Sequence, residues 1–139
     1  MLPIKNFIMA KRGLKMFHLF NKSENGVFKY SHPLKVPYLK ELCLRFDKVD
    51  ELDSAFLYGS TLTMYCNQYS DIDLYCILSC TPTHSLTKHI RKFCHIRTQS
   101  VDLLFNTKTR FLEAAADISS LENRIVKEGV VLYAKSNAI

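Results

Sequence analysis

Nothing in this chain approaches the run of roughly 18 apolar residues that a membrane-spanning helix needs, so no membrane is expected among its partners. The first residues, "MLPIKNFIMAKRGLK", break their apolar groups with Lys5, Lys11, Arg12 and Lys15. They also lack the small-residue cleavage site of a secretory signal, and the expected compartment is the cytoplasm. Repeats and low-complexity segments are absent. So is any Cys-x-x-Cys pair: the five cysteines, 43, 66, 76, 80 and 94, have no spacing of a standard zinc site and read as reduced, mostly buried packing residues. Acidic residues are scarce at one end only. Residues 1–40 hold eight Lys or Arg against one acid, Glu24, a net +7, whereas residues 41–139 hold eleven against twelve, a net −1. The basicity therefore belongs to the N-terminal stretch. The remainder, which carries the chemistry, is close to neutral, and a sequence pI of about 9.1 does not by itself imply nucleic acid.

What is present suits a globular domain: 139 residues, 47% hydrophobic and 23% charged. Residues 1–33 read as a basic extension, a short helix in "IKNFIMAKR" followed by a hairpin closed around Asn25-Gly26. The helices that should precede such a hairpin in a winged-helix DNA binder are missing. That leaves DNA contact through residues 1–33 as the weakest reading, behind an extension packed on the body or on a partner.

Residues 34–139 form the body. "VPYLKELCLRFDKV" spaces Leu39, Leu42, Cys43 and Phe46 as one face of a helix. The strand "SAFLYG" follows, then a short helix "STLTMYCN" opening on Ser60, the strand "DIDLYCILS", the helix "THSLTKHIRKFCHI" and the strand "SVDLLFN". Two more helices, "TRFLEAAAD" and "SSLENRIVKEG", precede a last strand "VVLYAK", the second with a serine cap and Gly129 as its stop. Alternation of this kind predicts an α/β fold, a small mixed sheet flanked by helices.

Two carboxylates interrupt the apolar strand 71–79. Residues i and i+2 share a strand face, so Asp71 and Asp73 project together while Ile72 and Leu74 point into the core. Side by side they repel, and a divalent cation with its preference for hard oxygen ligands relieves that conflict. Asp102 stands in a matching setting between Val101 and Leu103. If its strand neighbours "DIDLYCIL", three carboxylates converge, enough to hold two metal ions about 3.5–4 Å apart. Gly59 permits close backbone approach to a ligand, and Ser60 at a helix start favours phosphate. Each feature alone also has an ordinary reading, as solvated acids beside a turn and a common strand-to-helix junction. Their coincidence points to a metal-triphosphate site.

The run "GSTLTMYCNQYSDID" places ten residues between Gly59-Ser60 and Asp71-x-Asp73. In this it resembles the polymerase β-like nucleotidyltransferases, and among them the minimal nucleotidyltransferases that act as antitoxins to HEPN-domain ribonucleases. The likeness runs from about Pro33 to Lys135. It implies the nucleotidyltransferase fold, with Gly59 and Ser60 holding the phosphates of ATP. Asp71, Asp73 and Asp102 would bind two Mg²⁺ ions, and Asp102 would act as base or orient the accepting hydroxyl. The implied reaction is transfer of AMP to a hydroxyl, on a HEPN-type toxin partner.

The chain departs from the family in the loop. Where members carry Arg and a second Gly, it has Thr61, Leu62, Thr63 and Met64, with Tyr65 and Tyr69 beyond. Lys88 and Arg91 on the following helix are the candidates to supply the missing charge. His84, His89 and His95 read as surface or packing residues. Two alternatives accompany the enzyme reading: an antitoxin of weakened catalysis that acts by binding, and an antibiotic nucleotidyltransferase. The last is disfavoured, because 139 residues leave little room for a small-molecule acceptor domain.

Overall fold

A computed structural model describes residues 31–135; the helix and hairpin expected before residue 31 lie outside the described residues. A four-stranded sheet in the order β3-β2-β1-β4 forms the centre. Its strands are β1 (Leu52–Tyr58), β2 (Ile72–Leu78), β3 (Val101–Thr107) and β4 (Val130–Ala134). β1 pairs antiparallel with both β2 and β4, while β2 and β3 run parallel. Parallel neighbours need a crossover, and α2 (His84–Phe93) provides it. The remaining helices are α1 (Val36–Phe46), α3 (Lys108–Ala115) and α4 (Leu121–Glu128). This is the mixed α/β architecture that the sequence predicts.

The helices divide between the two faces of the sheet, and the strand period decides which residues each face receives. On the first face α1 contributes Leu39, Leu42 and Phe46, and α2 contributes Ile90. They pack on Ala55, Leu57, Ile72, Leu74, Cys76 and Leu132. On the second face Phe111 of α3 and Ile125 of α4 pack on Phe56, Tyr75, Ile77 and Val131. The Phe111 ring lies 5.3 Å from Phe56 and 5.0 Å from Tyr75, the latter edge-on, geometries that aromatic quadrupoles favour. β1 runs between β2 and β4 under both layers, so Ser54 through Leu57 are buried without interruption. That is why "SAFLY" does not alternate.

Helix ends follow local chemistry. Thr83, Thr107 and Ser120 cap α2, α3 and α4, accepting from the N–H of Leu86, Arg110 and Asn123 respectively. Gly129 ends α4 as expected and donates its N–H to Ile125 O at 2.7 Å. Three of the cysteines are buried, Cys43 is half-buried and Cys80 is exposed, all five as free thiols. Burial holds the Cys94 thiol up at about 11, so it stays protonated at neutral pH. No helix among the described residues is long and apolar enough to cross a membrane.

One element differs from expectation. "STLTMYCN" is not an α-helix: only Gly59–Leu62 turns, as a 3₁₀ segment. The reason is Thr63, whose N–H and hydroxyl both donate to Ser60 O at 2.9 Å. That carbonyl is consumed at i+3, and Thr63 itself is extended. Further on, Asn67 Oδ1 accepts from Tyr69 N at 2.8 Å and Ser70 Oγ from Asn67 N at 3.0 Å. These local bonds compete with helix continuation.

Candidate active site

The register of the sheet assembles the site at one end of the second face. Tyr58, the last residue of β1, lies opposite Asp73 in β2, and Asp73 lies opposite Asp102 in β3. Asp73, Tyr75 and Ile77 share a face of β2, and Tyr75 and Ile77 are second-face core. Ile72 and Leu74 point into the first-face core, as the alternation predicts. Asp73 is half-buried, while Asp71, one residue before the strand, and Asp102 are exposed.

Asp73 senses the other two carboxylates. Its carboxyl is pushed above its ordinary range, first by burial, then by the charges of Asp102 and Asp71. Among the described residues none of the three has an ion-pair or hydrogen-bond partner. Such a cluster lacks positive charge, and carboxylate oxygens are the donors that Mg²⁺ accepts. Asp73 and Asp102 therefore fit a divalent cation chemically, with Asp71 beside them. As they stand, no three His, Cys, Asp or Glu side chains among the described residues converge tightly enough to enclose one.

Gly59 explains why the turn and the carboxylates belong together. Its φ is +82°, where side chains other than glycine's are strained. A Cβ placed on it would stand 2.5 Å from Asp73 Oδ2, too close for any real contact. The carboxylate thus rests against the bare α-carbon of the turn. Ser60 follows, half-buried, its hydroxyl without a partner among the described residues. Because the turn is a single 3₁₀ segment, the macrodipole expected of a helix at Ser60 does not operate; the hydroxyl and the glycine backbone remain.

Lys88 and Arg91 do not reach the carboxylates. α2 packs on the first face, and Arg91 donates to Leu103 O at 3.2 Å with its guanidinium over the Phe105 ring, 5.0 Å from the centroid. Lys88 is exposed on the same helix. His84, His89 and His95 are exposed, with His89 stacked on Phe93. In the loop after the Gly-Ser turn, Met64, Tyr65 and Tyr69 are each more than 80% exposed.

Several residues of this end escape motif reading. Tyr58 stands within the field of Asp73 and Asp102, and its phenol is pushed up to about 12 by burial and then by those charges. The Tyr75 hydroxyl donates to Glu122 Oε2 at 2.9 Å and accepts a long bond, 3.5 Å, from Asn106 Nδ2. Counting by two from known positions would have found them. Tyr75 follows Asp73 by two, and Asn106 follows Asp102 by four, on the same face. Glu122 comes from α4 and has no such signal.

The family described as polymerase beta, nucleotidyltransferase matches residues 40–138. That is well over half of the chain and includes every one of the carboxylates and the Gly-Ser turn. The chain belongs to the polymerase β nucleotidyltransferase family. Among solved structures, it is similar to a chain from the complex of tri-AMPylated Shewanella oneidensis HEPN toxin with MNT antitoxin, at 17% identity and a TM-score of 0.45 over 71% of each chain. A search of curated proteins finds no match.

Proposed function

We propose that this nucleotidyltransferase moves AMP from ATP to a hydroxyl on a partner protein, a HEPN-type toxin, and acts as its antitoxin. Family membership supports the transferase, and the observation that carries the site is the Tyr58–Asp73–Asp102 register with Gly59 closed against Asp73. The partner rests on the resemblance of "GSTLTMYCNQYSDID" and the elements after it to minimal nucleotidyltransferases.

In this reading Gly59 and the Ser60 hydroxyl bind phosphate oxygens at the end of β1. Asp71, Asp73 and Asp102 would hold two Mg²⁺ ions, which would neutralise charge on the triphosphate and on the attacking and leaving oxygens. The acceptor oxygen attacks the α-phosphorus, its bond to the bridging oxygen breaks, and pyrophosphate leaves. Asp102, exposed at the edge strand, receives the hydroxyl proton or orients that hydroxyl. Tyr58 and Tyr75 do not titrate near neutrality, and the Tyr75 hydroxyl is held by Glu122 and Asn106.

A second reading follows from one observation. Met64, Tyr65 and Tyr69 are exposed in the loop that follows the Gly-Ser turn, an apolar surface suited to holding a partner without modifying it. Intact-mass spectrometry of the co-expressed pair separates the two. With ATP and Mg²⁺ the partner should gain one or more AMP masses, and Asp73→Asn should abolish the gain. Neutralisation of the toxin with no mass change would overturn the enzyme reading in favour of binding alone.

A further inference from the structure

Lys35 is 1% exposed, and no carboxylate among the described residues meets its ammonium. Instead the ammonium donates to Ser70 O at 2.6 Å, to Gln99 Oε1 at 2.7 Å and, more weakly, to Gln68 O at 3.4 Å. These acceptors match the donor count of an ammonium. Gln99, also buried, passes the connection on. Its Nε2 donates to Ser70 O at 3.0 Å and to Ser100 O at 2.7 Å. Ser100 O in turn accepts from Ile72 N at 3.0 Å.

The position of these acceptors is the informative part. Ser70 immediately precedes Asp71. Ser100 stands two residues before Asp102, and Ile72 lies between Asp71 and Asp73. A single buried cation thus ties the end of the loop after the Gly-Ser turn to the segment that opens β3. Burying an ammonium costs desolvation that a methionine of similar length would not incur. Stability alone is a poor reason for lysine here. Its charge is not among the influences on Asp73, which are burial, Asp102 and Asp71. The ammonium therefore acts on the site through backbone and not through its field.

We propose that Lys35, with Gln99, is a positioning residue: it fixes the backbone in front of Asp71 and Asp102 and so sets how the carboxylates face each other. This rests on the metal-binding reading of the carboxylates given above.

The test uses the full chain and Mn²⁺ alone as the probe, titrated by calorimetry, together with amide hydrogen exchange. Lys35→Met should weaken Mn²⁺ binding by about tenfold or more, the usual effect of removing a support behind metal ligands. Amides 67–72 should exchange faster while those of β1 do not. Gln99→Leu, which leaves the ammonium its two carbonyls, should act in the same direction and carries the test if Lys35→Met fails to fold. Phe46→Leu, a core change in α1 remote from the loop, serves as the destabilised control and should leave Mn²⁺ affinity within about twofold of wild type. Unchanged affinity in folded Lys35→Met and Gln99→Leu, or an equal loss in Phe46→Leu, overturns the positioning role. If the wild type binds no Mn²⁺ and Asp73→Asn is indistinguishable from it, the metal reading falls instead. Amide exchange at 67–72 then decides by itself whether Lys35 holds this segment, and no acceleration would overturn that too.

Discussion

The two faces of the sheet are built from the same strands yet serve different ends. The first face is closed with apolar side chains from α1 and α2, from Leu39 through Ile90. The second begins in the same way, with Phe56, Phe111 and Ile125, and then turns polar toward the end that holds Tyr58, Asp73 and Asp102. A strand that alternates between faces lets one sequence satisfy both. Ile72, Leu74 and Cys76 anchor the sheet while Asp73 and Tyr75, from the same seven residues, face the site. Rigidity on one side allows uncompensated charge on the other.

The comparison is broken most severely from the apolar side. Phe46 is fully buried on α1, and its ring stands 5.9 Å from that of Tyr133. Phe46→Ala should cost about 3–5 kcal/mol, by lost burial and the cavity left behind. Denaturant unfolding measures it, and a cost below about 1 kcal/mol would mean that the first face is not the anchor argued here.

Changes at the polar end should instead spare the fold and remove the chemistry. Asp73→Asn or Asp102→Asn is expected to lower AMP transfer by more than about a hundredfold, the loss that even residues supporting a metal ligand can cause. Circular dichroism should stay that of wild type. Transfer that survives either change would remove the carboxylates from the reaction.

Gly59→Ala touches both faces of the argument, because the turn is where the sheet ends and the site begins. Backbone strain at φ +82° and a Cβ within 2.5 Å of Asp73 Oδ2 both oppose alanine. The expected cost is about 1–2 kcal/mol of stability. Transfer should fall as well, since relief requires Asp73 to move. A variant as stable as wild type and fully active would show that the close approach is not needed.

How much of this was legible in the sequence follows from the same geometry. Helices and strands that bury a regular stripe were readable, because periodicity is what burial selects; α1 with Leu39, Leu42 and Phe46 is the clearest case. The pairing of Asp73 with Asp102 was readable only as a condition on strand adjacency, which the parallel β2–β3 register meets. The turn after Gly59 was misread as a helix because Thr63 captures the Ser60 carbonyl, a bond that no apolar pattern announces. Arg91 was a reasonable source of charge by sequence distance, but α2 lies on the wrong face to deliver it. Lys35 was invisible for the opposite reason: its partners at 68, 70 and 99 lie far along the chain.

The smallest expected effect concerns stability against pH, and its sign distinguishes the two faces. Asp73 has its folded pKa raised by burial and by Asp102 and Asp71. A carboxyl raised in the folded state binds more protons there than in the unfolded chain. Its ionisation therefore destabilises the fold, an effect absent below the unfolded pKa and complete above the folded one. Stability of the metal-free protein should fall slightly as pH rises through that window. Because Asp73 is only half-buried, solvent screening keeps the effect small. Asp73→Asn should remove this contribution to the pH dependence and make the metal-free fold marginally more stable at pH 7, while adding Mn²⁺ should stabilise wild type and not the variant. Apolar first-face positions such as Leu42 can show no such inversion. A variant less stable than wild type at neutral pH without metal would mean that Asp73 is a structural partner, and that the second face is held together by the charges that here strain it.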